Sequence, residues 1–182
     1  MTHLHPGIIL DFWFHEITPA QWWKADPAFD RQIESAFLPV LRQAAQGELS
    51  SWRATAEGRL AEIIVLDQFS RNAWRNTPWA FAQDAVALVL SQEAIANGAL
   101  NALGADARAF LLMPFMHSES KFIHAEAETL FREHAPASNY DFELKHKAII
   151  DRFGRYPHRN AILGRPSTEE ELEFLKQPGS SF

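Results

Sequence analysis

Helix start and stop signals recur from one end of this chain to the other, whereas strand signals are scarce. Several segments open with a capping side chain or a proline, which suits a first helical turn because its backbone N–H groups have no partner within the helix. These openings are Pro6, Asp26-Pro27, Thr77-Pro78 and Thr168 with Glu171. Glycine, which readily forms helix ends, follows several of the same segments, at Gly47, Gly98 and Gly154. The pattern predicts an all-α fold.

Apolar residues at helical spacing between these signals predict about seven to eight antiparallel helices with short connections. The predicted helices begin near Pro6, Asp26-Pro27, Thr55, Thr77-Pro78, Ala105, Ser118, Ser138 and Thr168. The predicted loops are the stretch with Pro19, Trp22 and Trp23 and the sequence RYPHRNAILGRP. The predicted buried face of the fourth helix consists of Phe81, Ala85, Leu88 and Val89. Pro114 is expected to break or kink the fifth helix, because proline lacks a backbone N–H.

The length of 182 residues is sufficient for one domain with a sizeable core, and no linker divides the chain. A single helical domain is therefore expected over residues 1–182, with residues 1–5 and 177–182 mobile. Pairs of helices of this length can stack as a solenoid, although no repeat recurs at a fixed period. The expected architecture is a helical bundle or solenoid.

The formal net charge of −6 disfavours broad electrostatic binding, so no nucleic-acid partner is predicted. The chain has no Cys, which excludes disulfides and thiolate metal sites. Its first residues, MTHLHPGIILDFWFHE, have no basic segment, and Asp11 interrupts their apolar stretch. They resemble neither a signal peptide nor a membrane span, so no membrane partner is predicted and a cytoplasmic location is expected.

The third predicted helix, RLAEIIVLDQFSRN, carries charges on its apolar stripe. The apolar members of the stripe are Leu60, Ile63 and Ile64. The same stripe continues to Asp67 and Arg71, which are one helical turn apart and can pair with each other. They form either a buried structural ion pair or part of a polar pocket, because desolvating two charges is costly without a functional reason. Gln68 and Asn72 lie beside them and would extend the polar surface.

The seventh predicted helix ends in cationic and imidazole side chains. Its apolar face, which includes His146, also carries Phe142, Ile149 and Phe153. The sequence IIDRFGRYPHRN then places five polar side chains around a helix end and a proline turn, namely Arg152, Arg155, His158, Arg159 and Asn160. Arginine side chains match carboxylate or phosphate oxygens, but they can also cap helix carbonyls and pair with surface acids. Both interpretations stay open at this point, as does a purely structural role for His146.

His117 and Glu119 follow Pro114 in the sequence LMPFMHSES, and His124 comes two helical turns after His117. A His-x-Glu pair is a weak metal signal because no HExxH sequence accompanies it. Ser118 is a candidate cap for the sixth helix or a polar member of a site. Phosphate-binding glycine loops, nucleophile elbows and dinucleotide fingerprints are absent from the sequence. No metal and no cofactor is therefore predicted.

The motifs DFWF, LDQFSRN, PFMHSES and RFGRYPHRN, with His146 upstream of the last, resemble the bacterial family known as domain of unknown function 924. The resemblance covers nearly the whole chain, from about Ile8 to Leu175. It implies an all-helical fold similar to tetratricopeptide-like domains, and it implies no activity. The positions that match the family's motifs are Asp67, Gln68, Arg71, Asn72, His117, Ser118, Glu119, His146, Arg155, His158, Arg159 and Asn160.

We expect these side chains to line a pocket that binds a small anionic molecule and supports acid–base chemistry. The predicted ligand-binding residues are Arg71, Gln68, Asn72, Ser118, Arg155, Arg159 and Asn160. The predicted catalytic residues are His117, His146, His158, Glu119 and Asp67. Candidates for the pocket walls are Phe69, Trp74 and Trp13.

Two other functions are compatible with the sequence. A helical concavity can bind a peptide or a partner protein without catalysis, which tetratricopeptide-like folds commonly do. A self-associating structural protein would instead expose an apolar patch around Trp22 and Trp23. A closed pocket with converging guanidinium and imidazole groups favours the small molecule, and an open groove favours the peptide.

Overall fold

The computed structural model describes residues 4–182, and this part of the chain forms eleven helices and no strand. In chain order the helices are α1 (Pro6–Asp11, continued by the π-helical turn Phe12–Glu16), α2 (Pro19–Trp23), α3 (Pro27–Ala45), α4 (Ala56–Ile64, the π-helical turn Val65–Phe69 and Ser70–Ala73), α5 (Asp84–Ala96), α6 (Ala99–Ala102), α7 (Ala105–His117), α8 (Lys121–His134), α9 (Ala137–Phe153), α10 (Asn160–Leu163) and α11 (Glu169–Leu175). Short 3₁₀ turns lie at Ser50–Ala54, Pro78–Ala80 and Pro157–Arg159. The all-α prediction is confirmed.

The expected number of seven to eight helices is too low, because three short helices were not predicted. In place of the loop with Trp22 and Trp23, the chain forms α2, whose first turn is closed by a hydrogen bond from the Thr18 backbone N–H to the Gln21 side chain. Helix α6 follows Gly98 directly, and α10 lies inside the second predicted loop. Helices of four or five residues are too short to show an apolar period, so hydrophobic spacing does not reveal them.

The predicted helix ends are found where capping chemistry is present. Asp26 accepts a hydrogen bond from the Ala28 N–H at 2.9 Å, and Thr168 accepts one from the Glu171 N–H at 3.1 Å. Gly154 ends α9 with a φ of 72°, a left-handed conformation that costs a glycine little. Local polar and steric preferences therefore account for these boundaries without tertiary information.

Helix α4 is the central element of the fold, and it is packed by α1, α3, α5 and α7. The predicted stripe of apolar residues is buried, but so is every residue from 60 to 70, so this helix has no solvent-exposed face there. A helix buried on all sides brings any polar side chain it carries into the interior. The π-helical turn Val65–Phe69, which is entirely buried, carries Asp67 and Gln68.

The buried face of α5 differs from the predicted one. Ala87, Ser91 and Ala94 are buried, whereas Val89 is 55% exposed. The Ser91 hydroxyl donates a hydrogen bond to the Leu111 carbonyl of α7. Small side chains let α5 approach α7 closely enough for this contact, whereas Val86 and Val89 are exposed and Leu88 is only partly buried. Hydrophobicity alone assigns this face wrongly, because here close packing selects small residues.

Pro114 does not break α7, which continues to His117. Residues 109–116 are all buried, so tertiary packing holds the helix together although proline donates no backbone hydrogen bond. None of the helices within residues 4–182 is both long and apolar enough to span a bilayer.

Residues 1–3 of the end expected to be mobile lie outside the described residues. At the other end, the Ser180 hydroxyl donates to the Leu175 carbonyl, and the Phe182 ring lies parallel to His146 with ring centroids 3.7 Å apart.

Candidate functional site

A cavity of about 370 Å³ lies where the turn Pro78–Ala80, the first turns of α5, the end of α7 and α10 meet. Its lining consists of Pro78, Phe81, Ala82, Asp84, Ala85, Leu88, Pro114, His117, Ser118, Glu119, Arg159 and Leu163. The predicted site residues His117, Ser118, Glu119 and Arg159 are therefore brought together, from parts of the chain that are far apart in sequence. Such a volume lies at the small end of the range for ligand pockets.

His117 is held by Asp67 of the buried π-helical turn. An oxygen of the Asp67 carboxylate lies 2.7 Å from Nδ1 of His117, although the two residues are 50 positions apart in sequence. Burial opposes ionisation of Asp67, but His117 and Arg71 outweigh it and hold the pKa of Asp67 at about 2. Burial and Arg71 lower the pKa of His117, although Asp67 opposes them. At neutral pH the pair is thus a carboxylate beside a neutral imidazole.

Arg71 forms its main ion pair with Asp84 of α5. Two guanidinium nitrogens of Arg71 donate to the Asp84 carboxylate at 2.7 and 2.9 Å, and Arg71 also donates to the Asp67 carbonyl at 2.9 Å. Burial alone would lower the pKa of Arg71, but Asp84 and Asp67 outweigh burial and raise it. The predicted Asp67–Arg71 contact is present at 3.3 Å, which makes it the longer of the two ion pairs of Arg71.

The Arg159 guanidinium lies between two aromatic rings, 4.6 Å from the ring centres of Phe81 and Tyr156. It donates one hydrogen bond, to the His117 carbonyl at 3.0 Å, and its nearest approach to Asp84 is 3.6 Å. Its Nε is buried and has no hydrogen-bond partner within residues 4–182. Burial lowers the pKa of Arg159 to about 10, with Arg71 contributing, so the side chain stays cationic with donors to spare.

Three consecutive carbonyls at the end of α7 accept hydrogen bonds from side chains. The Tyr156 hydroxyl donates to the Met116 carbonyl, and Nε2 of His124 lies 2.7 Å from the Ser118 carbonyl. Arg159 donates to the carbonyl of His117, the residue between Met116 and Ser118. The last carbonyls of a helix have no partner within it, so these contacts satisfy them and fix the backbone that carries His117.

His124 also pairs with Glu143, and both side chains are fully buried. Nδ1 of His124 lies 2.7 Å from a Glu143 carboxylate oxygen, so each ring nitrogen faces an oxygen acceptor. Two acceptors require two ring N–H groups, unless Glu143 itself carries a proton. Burial raises the pKa of Glu143, which favours a proton shared between the two side chains.

A second ionic cluster, beyond the cavity, contains the remaining predicted arginine. Arg155 donates to both carboxylate oxygens of Glu171, at 2.8 and 2.9 Å. The buried Asn160 side chain donates to Glu171 at 3.1 Å and accepts from Arg165 at 3.0 Å. Arg165 in turn binds both oxygens of Glu119, which links this cluster to the cavity wall. Arg155 and Asn160 do not line the cavity.

His146 and His158 lie under the C-terminal residue. The Phe182 ring stacks on His146 and contacts the edge of His158 at a centroid distance of 5.6 Å. Burial lowers the pKa of His146 to about 3 and the pKa of His158 to about 4. Nδ1 of His146 faces the Phe142 carbonyl at 2.7 Å, the satisfied arrangement expected of a core histidine. Neither imidazole lines the cavity.

Two of the three predicted amide side chains, Gln68 and Asn72, lie on α4 and do not line the cavity. Gln68 donates to Asp67 at 2.8 Å, so it helps to orient that carboxylate. Asn72 donates to Asp30 at 2.8 Å, and Asp30 also pairs with Arg75. Of the predicted wall residues, Phe69 and Trp13 belong to the central aromatic core.

Sequence reasoning missed several residues of the site. They are Phe81, Asp84, Glu143, Tyr156 and Arg165. Asp84 begins α5, where an acidic residue is common for local reasons, so nothing in its neighbourhood indicated an ion pair with α4. Tyr156 lies within the motif RFGRYPHRN and was detectable on that ground. Within residues 4–182, no group of three or more His, Cys, Asp or Glu side chains is arranged to hold a metal ion.

The family is decided by a match over residues 9–179 to the family described as "Bacterial protein of unknown function (DUF924)". The chain belongs to this family. A similar solved structure is that of the protein of unknown function ATU0120 from Agrobacterium tumefaciens. The two sequences are 36% identical, and the match covers 94% of this chain and 96% of the Agrobacterium chain, with a TM-score of 0.89. No curated protein matches the chain. The resemblance noted in the sequence is thus confirmed, and the function of the family remains open.

Proposed function

We propose that the protein binds a small anionic molecule in the cavity, with Arg159 holding the anion and His117 exchanging a proton with it. The observation that carries the proposal is the 2.7 Å contact between Asp67 and Nδ1 of His117. A carboxylate at Nδ1 fixes the ring and its tautomer, so that Nε2 is left as the proton-exchanging atom on a residue of the cavity wall.

In this proposal His117 acts as the base. Its lowered pKa keeps the imidazole neutral at pH 7, so Nε2 has a free lone pair. A proton taken from the ligand would produce an imidazolium, which the Asp67 carboxylate would stabilise without itself becoming protonated. The buried Asp67 is therefore a positioning and electrostatic group rather than a second base.

Arg159 is the anion-binding group because its donors are incompletely used. Arg71 and Arg155 each already bind a carboxylate through two nitrogens, whereas Arg159 donates one hydrogen bond. We therefore assign Arg71 to holding Asp67 and Asp84 in place, and Arg155 to the Glu171 cluster. Ser118 and Glu119 form a polar part of the cavity wall, and Gln68 orients the Asp67 carboxylate.

The alternative, a peptide- or protein-binding module of tetratricopeptide-like type, has one supporting feature. An open groove of about 620 Å³ between α5, α7 and α8 is lined mainly by apolar residues, and its Phe122 is 72% exposed. Glu126 is the charged residue of this groove. We favour the cavity, because it combines a cation, a fixed imidazole and a concave shape, whereas the groove contains no comparable chemistry.

The proposal is tested by thermal shift with sodium phosphate, acetate and benzoate, combined with imidazole ¹⁵N NMR. An anion that binds only the folded state raises its melting temperature with concentration. We expect such a rise for the wild-type protein and its loss in Arg159→Gln. We also expect the bound anion to raise the pKa of His117, because a nearby negative charge favours the imidazolium.

Two further variants separate binding from stability. Arg132→Gln, on the exposed face of α8, is expected to keep the wild-type response. Ala85→Phe fills the cavity from an exposed position and should abolish the response with the fold intact. Equal anion responses in wild type, Arg159→Gln and Ala85→Phe would contradict binding in the cavity. Binding that leaves the pKa of His117 unchanged would contradict the proton-exchange role.

A further inference from the structure

We infer that the ligand is a monocarboxylate with an apolar body, an inference that rests on the proposed anion site and specifies its chemistry. The charges of the lining provide the first reason. Arg159 is its cation, whereas Asp84 and Glu119 are carboxylates that line the same cavity. Each of these carboxylates is bound through both oxygens by an arginine, Arg71 or Arg165. One positive charge with donors to spare matches one negative charge on the ligand, and a dianion would be repelled by the neighbouring carboxylates.

The position of the Arg159 guanidinium favours a carboxylate over other monoanions. The guanidinium carbon lies over the rings of both Phe81 and Tyr156, 4.6 Å from each ring centre, so a ligand would contact the guanidinium through its N–H groups. A planar carboxylate receives two parallel N–H donors from the edge of a guanidinium. Nη2 of Arg159 already donates to the His117 carbonyl, and its Nη1, 3.6 Å from Asp84, is the terminal donor left for a ligand oxygen.

The rest of the cavity wall selects for an apolar body. Its apolar members are Pro78, Phe81, Ala82, Ala85, Leu88, Pro114 and Leu163. They lie on the turn before α5, on the first turns of α5, on α7 and on α10. A ligand with carbon atoms in this space gains roughly 25 cal/mol for each Å² of apolar surface removed from water. With about 370 Å³ available, short aliphatic acids and single-ring aromatic acids fit, and long acyl chains do not.

The test measures dissociation constants of five probes by titration calorimetry at pH 7. Hexanoate and benzoate carry one carboxylate and an apolar body, acetate lacks the body, inorganic phosphate is a mixture of monoanion and dianion without an apolar body, and hexylamine has the body with the opposite charge. We expect hexanoate or benzoate to bind at least about tenfold more tightly than acetate or phosphate, and hexylamine not to bind.

A pair of variants on α5 locates the binding. Ala85→Asp places a third carboxylate in the cavity from an exposed position and is expected to weaken benzoate and hexanoate binding by about tenfold or more. Val89→Asp makes the same charge change at an exposed position one turn further along, outside the cavity, and is expected to leave binding unchanged.

The outcomes separate this inference from the proposed function. Tighter binding of phosphate or acetate than of benzoate and hexanoate, lost in Ala85→Asp, would overturn the ligand class and support the anion site. Equal binding of hexylamine and hexanoate would overturn the role of the carboxylate. Carboxylate binding that is weakened equally by Val89→Asp and Ala85→Asp would overturn the location. No binding of any anion would overturn both proposals.

Discussion

At the scale of single residues, the candidate site depends on which polar side chains are fully paired and which are not. Arg71 and Arg155 have complete carboxylate partners, whereas Arg159 and His117 keep hydrogen-bonding capacity at a cavity wall. A buried polar group without a partner costs stability, and a folded protein retains few of them. The incomplete pairing of Arg159, together with its place in the cavity lining, is the reason for proposing it as the anion-binding residue.

Asp67→Asn tests the pairing that orients His117. The Asp67 carboxylate raises the pKa of His117 against burial and Arg71, so its replacement by a neutral amide is expected to lower that pKa further. The substitution also removes a buried negative charge that contacts Arg71, so the free energy of unfolding should fall by about 3 kcal/mol. Imidazole ¹⁵N NMR and urea unfolding measure the two effects. Asp30→Asn, in the separate pair with Arg75, should leave the pKa of His117 unchanged. A rise in that pKa in Asp67→Asn would contradict the assigned role.

At the scale of elements, the site is built where the end of α7 is held by three other segments. Side chains from α8, from the turn Pro157–Arg159 and from the residue before it bind its last carbonyls. The Glu143 side chain of α9 supports this arrangement through His124. These hydrogen bonds fix the end of α7, which the proposed proton exchange by His117 would require.

Glu143→Gln tests whether Glu143 and His124 share a proton. Burial raises the pKa of Glu143, so its contribution to stability is present at low pH and is lost as pH rises through the folded-state value. The amide of glutamine can donate to His124 without taking up a proton. We therefore expect the free energy of unfolding of Glu143→Gln to rise relative to the wild type as pH increases above about 4.5, measured by urea unfolding. Glu128→Gln on the surface of α8 is the control. A constant difference between Glu143→Gln and the wild type across pH would rule out the shared proton.

At the scale of the whole molecule, folding removes several ionisable side chains from water, among them the buried His146 and the half-buried His158. Both imidazoles are neutral at pH 7, and both contact the Phe182 ring. The unfolded chain exposes both rings to water, where histidine protonates near pH 6.5. Below pH 6.5 the unfolded chain therefore binds two protons that the folded chain does not bind.

Acid sensitivity of the whole fold follows from these two histidines. Because their folded-state pKa values are about 3 and about 4, their contribution to stability is complete above pH 6.5 and is lost as pH falls toward 4. We expect the free energy of unfolding to fall by roughly 6 kcal/mol between pH 7 and pH 4, about 3 kcal/mol from each ring, before most carboxylates titrate. Urea unfolding at a series of pH values measures it, and the double variant His146→Phe, His158→Gln should reduce the slope. A stability that is flat from pH 7 to pH 4 would show that the two rings protonate in the folded state.

Much of the secondary structure was predictable from the sequence because it depends on short-range chemistry. Helices begin at Asp26-Pro27 and Thr168 and end near Gly154 for reasons contained within a few residues. The short helices α2, α6 and α10 were missed because they have fewer residues than one apolar repeat requires. The inward face of α5 was wrong because close packing against α7, rather than hydrophobicity, selects Ala87 and Ser91.

The sequence by itself determined an all-helical chain and identified polar residues at positions where apolar ones would be expected, namely Asp67, Arg71 and His146. Only the tertiary structure decided which of them pair. Asp67 meets His117 across 50 residues, and Arg71 meets Asp84 in addition to Asp67, its neighbour on the same helix. The physical reason is that a helix specifies the direction of its own side chains, whereas the partner of each side chain depends on how the helices pack.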